Sequence, residues 1–293
     1  GIGMAMNCFT QKGDKVMIQP PVYHPFAWVT TRNERTLVTN PLKWENGMYR
    51  MDLDTFREQI KGCKLFILCN PHNPGGVVWT EAELRAIADI CYDEKVLVFS
   101  DEIHADLTLP PHTHRPFATV SEKARMNSVT FMSPSKAFNM PGLSASHALI
   151  FNEDLRKRFR IYMDAGELDM GHVFAFLSVE AAYSHGTEWL DQCLAYIQGN
   201  IDFVDDFLKN HAPKIKAIRP EASYLVWLDC RELKLSQKDL NEFFVDKAHL
   251  ALNDGEMFGK EGIGFMRLNV ASPRCIIEKA MKQLADAYQL YIK

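Results

Sequence analysis

The chain is predicted to fold as an α/β protein with a mostly parallel sheet and a second, smaller α+β unit. Three observations lead there. Short apolar runs at 15–19, 65–69, 96–100, 129–132 and 148–151 alternate with helical patterns such as 53–61 and 81–94, the rhythm of strand, crossover helix and next strand. Residues 152–210 then read as helical without a strand signal, punctuated by Gly171 and Gly186. From about residue 212 short strands return at 217–219, 224–228 and 264–270, interleaved with helices at 236–248 and 275–291. The division expected is a large unit at 1–205 and a small one at 206–293.

Taken in order, residues 1–9 open a helix whose first glycines, Gly1 and Gly3, serve either close helix packing or an anion at the helix N-terminus. The runs at 65–69 and 96–100 are continuously apolar, as in strands covered on both faces. Thr80 followed by Glu83 is a capping box that starts the helix at 81–94.

Each strand of the middle region ends in polar residues able to do chemistry. Lys136 stands in Ser133-Pro134-Ser135-Lys136, just after the run at 129–132. A lysine among small hydroxyls can form a Schiff base with an aldehyde while the hydroxyls hold a phosphate, which suits pyridoxal phosphate; by itself it is also an ordinary solvated charge. Asp101 closes the run that leads into Glu102-Ile103-His104. A carboxylate at a strand's carboxyl end sits where open α/β sheets bind ligands, and beside a pyridine nitrogen it keeps that ring protonated; its other reading is a helix N-cap. Asn70-Pro71-His72-Asn73-Pro74-Gly75-Gly76 follows the run at 65–69. Its prolines and glycines force a turn, and Asn73 has an amide to give to a phenolate.

These motifs, in this order and over nearly the whole chain, resemble the fold-type I pyridoxal-phosphate enzymes of the aminotransferase class I and II superfamily. The resemblance implies the aspartate aminotransferase fold, pyridoxal 5'-phosphate as cofactor, an amino acid as small-molecule substrate and a homodimer. It assigns the cofactor-bearing amine to Lys136, the partner of the pyridine nitrogen to Asp101 and the donor to the phenolic oxygen to Asn73. Ser133 becomes a phosphate ligand, Tyr23 in Pro20-Pro21-Val22-Tyr23 the ring stacked on the pyridine, and Arg267 in Gly264-Phe265-Met266-Arg267 the grip on the substrate α-carboxylate. A planar guanidinium matches a carboxylate fork as a lysine does not. His104 stands where many relatives carry a tyrosine facing the phenolic oxygen, and Asp101-Glu102-Ile103-His104 is similar to the cystathionine β-lyases and related carbon-sulfur lyases. So are the stretches from Pro20 to Phe26 and from Leu252 to Gly255. Ser144 occupies the place, eight residues after the lysine, where many aminotransferases have a phosphate-binding arginine.

Composition agrees with an enzyme of this kind. The 293 residues, 47% hydrophobic, can bury a large core, and a net charge of −4 without a long charged run argues against nucleic acid or a charged membrane surface as the main partner. No apolar run approaches the roughly 20 residues that span a bilayer. Seven scattered cysteines without a Cys-x-x-Cys pair read as reduced thiols of a cytoplasmic protein. No metal site is expected: His104, His112 and His114 cluster in sequence but read as a solvated loop around Pro110-Pro111. The chain starts at Gly1 without an initiator methionine, and the resemblance implies a preceding segment that carries the phosphate loop, part of the substrate gate and part of the dimer.

The favoured function is a carbon-sulfur β-lyase that cleaves cystathionine or a related cysteine S-conjugate to a thiol, pyruvate and ammonia. The alternatives are an aminotransferase using the same residues and a catalytically silent binding protein of the same fold.

Overall fold

Helix α1 (Ile2–Phe9), β1 (Lys15–Ile18), α2 (Pro25–Arg32) and β2 (Thr36–Thr39) are followed by a hairpin of β3 (Lys43–Glu45) and β4 (Met48–Arg50). Next come α3 (Leu53–Gln59), β5 (Leu65–Cys69), α4 (Glu81–Asp93), β6 (Leu97–Asp101), α5 (Glu122–Met126), β7 (Ser128–Met132) and β8 (His147–Leu149). This computed structural model describes residues 1–291; the last two positions of the unit expected at 206–293 lie outside the described residues.

The main sheet has the order β2-β1-β5-β6-β7-β8. All neighbours are parallel except β7 and β8. The unbroken apolar runs have a direct physical cause: Phe66, Leu68 and Val98 face one buried cluster, while Leu65, Ile67, Cys69 and Phe99 face another on the opposite side. The capping box is formed, with the Glu83 N–H donating to Thr80 Oγ1 and the Thr80 N–H to Glu83 Oε2.

Three helices, α6 (Glu153–Ala165), α7 (Val173–His185) and α8 (Thr187–His211), fill the stretch expected to be helical, and the 205/206 division falls inside α8. Beyond it β9 (Lys216–Ile218), β10 (Leu225–Asp229), β11 (Asn253–Asp254) and β12 (Phe265–Asn269) pair antiparallel in the order β11-β12-β10-β9. One face of this sheet packs Val226, Leu228, Met266 and Leu268 against α8 and α10 (Arg274–Tyr291). The other face turns Trp227 and Phe265, stacked 5.2 Å apart, into the core of the main sheet.

Residues 220–223 are stitched to the main sheet's loops. The Glu221 N–H reaches the Gly76 carbonyl at 2.8 Å, the Leu109 N–H reaches the Glu221 carbonyl at 2.9 Å, and the Ser223 N–H reaches the Leu107 carbonyl at 2.8 Å. Gly76 has φ +69°, and a Cβ there would lie 2.5 Å from Pro220, so both its conformation and the close approach require glycine.

Some elements differ from expectation. The elements α2, β2, the β3–β4 hairpin and α5 were not expected; all are short, and β2 and β3 carry polar, half-exposed residues that give no clear periodicity. The helix expected at 236–248 is α9 (Gln237–Glu242) running into a π-helical turn, Phe243–Lys247. Among the described residues no helix is long and apolar enough to cross a membrane.

Candidate active site

Parallel pairing in register places Cys69 beside Asp101 and Asp101 beside Phe131, so the loops leaving β5, β6 and β7 open at one edge. These loops carry Asn73, Asp101 with His104, and Lys136. The small sheet brings Arg267 from β12 to the same place. A cavity of about 220 Å³ is lined by Tyr23, Asn73, Asp101, His104, Lys136 and Arg267 together with Cys69, Tyr224, Asn253 and Asn269. Ser133 lines an adjoining compartment of about 260 Å³ that shares Tyr23 and Asp101 and also includes Gly1, Gly3 and Ser146.

Arg267 is held as a fork. Its two terminal nitrogens donate to Asn73 Oδ1 at 2.9 Å and Asn253 Oδ1 at 2.8 Å, and its guanidinium carbon lies 4.6 Å from the centre of the Phe258 ring. Nε is buried and has no hydrogen-bond partner among the described residues. Burial lowers the guanidinium to about 10, partly offset by Tyr224 and Tyr23. Since Asn73 uses its oxygen on Arg267, its amide N–H groups remain as donors. The Asn73 backbone N–H donates to Cys69 Sγ at 3.3 Å, which ties the turn to its strand.

Asp101 is 9% exposed, and the one hydrogen bond to its carboxylate among the described residues comes from the Ile103 N–H at 3.2 Å. Burial pushes it up to about 6. His104 is buried, its Nδ1 without a partner among the described residues, and burial, reinforced by the charges of Lys136 and Arg267, pushes it down to about 3. It is a neutral imidazole at neutral pH. Ser133 Oγ donates to the Ala145 carbonyl at 2.5 Å and accepts from the Ser135 N–H at 3.1 Å, so its hydroxyl is engaged both by its own turn and by the segment leading into β8.

The reading of His104, His112 and His114 as a solvated loop holds for His112, which is exposed, and is corrected for the other two. His104 is 5% exposed, and His114 Nε2 lies 2.8 Å from Glu102 Oε2, a carboxylate 1% exposed. The loop folds back onto the end of β6, which sequence spacing does not reveal. Among the described residues no group of three or more His, Cys, Asp or Glu side chains is placed to hold a metal ion.

Sequence reasoning did not single out Cys69, Tyr224, Asn253, Asn269 or Ser146 as site residues. Asn253 lay in a stretch noted only for its family likeness, and Cys69 abuts the Asn-Pro turn. Tyr224 had no local signal, since the stitched segment before it sets its position. Ser144, marked in the sequence, does not line the Ser133 compartment, whereas Ser146 does.

The aminotransferase class I and II profile matches residues 1–284. The chain belongs to the aminotransferase class I and II family. It is 38% identical to cystathionine β-lyase PatB of Bacillus subtilis over 288 residues, covering 98% of this chain and 74% of that protein. Cystalysin from Treponema denticola, whose crystal structure contains pyridoxal 5'-phosphate, superposes with a TM-score of 0.96 at 35% identity, over 100% of this chain and 74% of that one. The pyridoxal-phosphate-bound carbon-sulfur lyase of Staphylococcus hominis superposes at 0.90 with 32% identity, over 98% and 75%.

Family members of this kind are pyridoxal-phosphate-dependent enzymes, and this chain is one. The site fits the group. Among the described residues the buried Asp101 carboxylate has one backbone donor and forms no ion pair, a place a protonated pyridine fills; a lysine, an amide donor and an arginine whose Nε has no partner among those residues surround the same space.

Proposed function

We propose that the chain is a carbon-sulfur β-lyase that converts cystathionine or a related cysteine S-conjugate and water to a thiol, pyruvate and ammonia. The observation that carries this reading is the meeting of Arg267 with Asn73, Asp101 and Lys136 around one cavity, in a chain 38% identical to a cystathionine β-lyase.

Pyridoxal phosphate, when bound, supplies an aldehyde that amines condense with and an electron-poor ring that accepts the electron pair left at the substrate's Cα. Lys136 would hold it, Asp101 would keep the proton on its ring nitrogen, and the Asn73 amide would donate to its phenolic oxygen with His104 nearby. Tyr23 would stack on the ring and Ser133 would contribute to the phosphate site. Arg267 binds the substrate's α-carboxylate, and its bonds to Asn73 and Asn253 hold the fork in one orientation before substrate arrives. Lys136 Nζ removes the substrate's Cα proton as general base, and with sulfur on Cβ the thiol departs there. In this reading residues 1–205 hold the cofactor and 206–293 deliver Arg267.

We place the enzyme as a homodimer in the cytoplasm. All seven cysteines are unpaired, and five of them are buried, which suits a reducing compartment. Met170, Phe174 and Phe176, 82%, 67% and 61% exposed, give α7 and its approach an apolar surface suited to a second copy.

The test is release of pyruvate and thiol from L-cystathionine by the chain loaded with pyridoxal phosphate, without any added oxo acid. Catalytic pyruvate that Lys136→Ala abolishes is expected. Amino transfer only when an oxo acid is supplied would make it an aminotransferase, and failure of pyridoxal phosphate to give a Lys136-dependent absorbance would sink both.

A further inference from the structure

Asp101 and Glu102 are consecutive, and they are the only two buried carboxylates among the described residues. Side chains alternate along a strand, so Asp101 faces the cavity while Glu102 points behind β6, on the same side as Ser100. There Glu102 is fully engaged. Oε1 accepts from Ser100 Oγ at 2.8 Å and from the Phe117 N–H at 2.8 Å, and Oε2 meets His114 Nε2 at 2.8 Å.

A carboxylate removed from water costs several kcal/mol unless its acceptors are satisfied, and these partners satisfy it. The fold does not need the charge. A glutamine could accept the same two bonds through its oxygen and donate to His114 through its amide, pinning the same loop without a second buried negative charge beside Asp101. The charge is therefore surplus to the packing, and besides His114, which meets it directly, it bears on the neighbouring Asp101.

We propose that Glu102 and His114 form a positioning pair that acts from behind the strand, fixing the Asp101–Glu102 backbone and placing Asp101 in a negative field that strengthens its hold on a proton. This rests on the reading of Asp101 as the partner of the cofactor's ring nitrogen. A more basic Asp101 keeps that nitrogen protonated to higher pH. The other groups around Asp101 are the Lys136 amine, which opposes the effect of Glu102, and Tyr23 and Cys69, which titrate only at high pH. Glu102 itself faces Ser100, His114 and the backbone of Phe117.

The experiment loads the chain with pyridoxal phosphate labelled with ¹⁵N in the ring and follows the nitrogen's NMR shift with pH. The parent is compared with Glu102→Gln and with the double variant Glu102→Gln, His114→Asn, which keeps an amide-to-amide link if the single variant does not fold. The pair predicts that the midpoint for loss of the ring proton falls by about half to one pH unit in either variant, a roughly three- to tenfold drop in proton affinity. A folded, cofactor-loaded variant with an unmoved midpoint, even with a lowered melting temperature, reduces the pair to a structural tie and overturns the proposal. A parent chain that takes up no cofactor overturns instead the reading of Asp101 on which the pair depends.

Discussion

Asp101→Asn should make the cofactor-free chain more stable near neutral pH while ruining its use of the cofactor. In the fold Asp101 keeps its proton up to about 6 because burial penalises the charged form. In the unfolded chain the same carboxyl ionises near 3.9. Between those values the folded state holds the extra proton, so stability falls as pH rises through the window, and the deficit is complete above it. At about 1.4 kcal/mol per pH unit the gap is worth at most ~3 kcal/mol, and ~2 kcal/mol once water entering the cavity is allowed for. Asparagine keeps an oxygen for the Ile103 N–H and carries no such deficit. Urea unfolding of both cofactor-free proteins should therefore show the variant ahead by ~2 kcal/mol at about pH 7.5, with the gap closing as pH falls from about 6 to about 4. Buried histidines are common to both proteins and cancel in the difference. A variant that is less stable at neutral pH, or a gap that does not change with pH, would refute the account of Asp101 as a carboxylate kept at the expense of stability.

Three further outcomes are expected. Arg267→Lys loses the fork that bridges Asn73 and Asn253, so KM for the amino acid should rise roughly 10- to 100-fold with a smaller change in kcat, read by steady-state pyruvate release. His72 and His104, pushed down to about 4 and about 3 by burial, stay neutral in the fold while the unfolded chain protonates near 6.5; stability should be full above that pH and fall steadily below it, and His72→Phe should flatten the acid limb of a melting-temperature profile. Thr80→Ala removes the oxygen that caps α4 and should cost about 1 kcal/mol in urea unfolding without moving KM.

The legible part of the site was local. Asn73, Asp101 and Lys136 each sit within a few residues of a strand end, and a buried parallel strand announces itself by its apolar run. The polar residues at the ends of such runs thus stand out without any knowledge of neighbours. Short or half-exposed elements gave no comparable signal. Thr36–Thr39 forms an edge strand only because β1 lies beside it, and His147–Leu149 runs antiparallel because of the path of the chain between β7 and β8.

What the sequence determined by itself was therefore the longer buried strands, their order along the chain and the three polar positions at their ends, Asn73, Asp101 and Lys136, since hydrophobic period and turn chemistry act over a few positions. Tertiary structure alone decided the rest. Arg267 meets Asn73 across 194 positions because residues 220–223 are stitched to the loops of the main sheet. Tyr224 enters the cavity for the same reason, and His114 is drawn out of solvent against Oε2 of Glu102, the buried glutamate just past the end of β6. Such contacts arise when separately formed elements pack to bury apolar surface, and no spacing within one segment encodes which polar groups will face each other once they do.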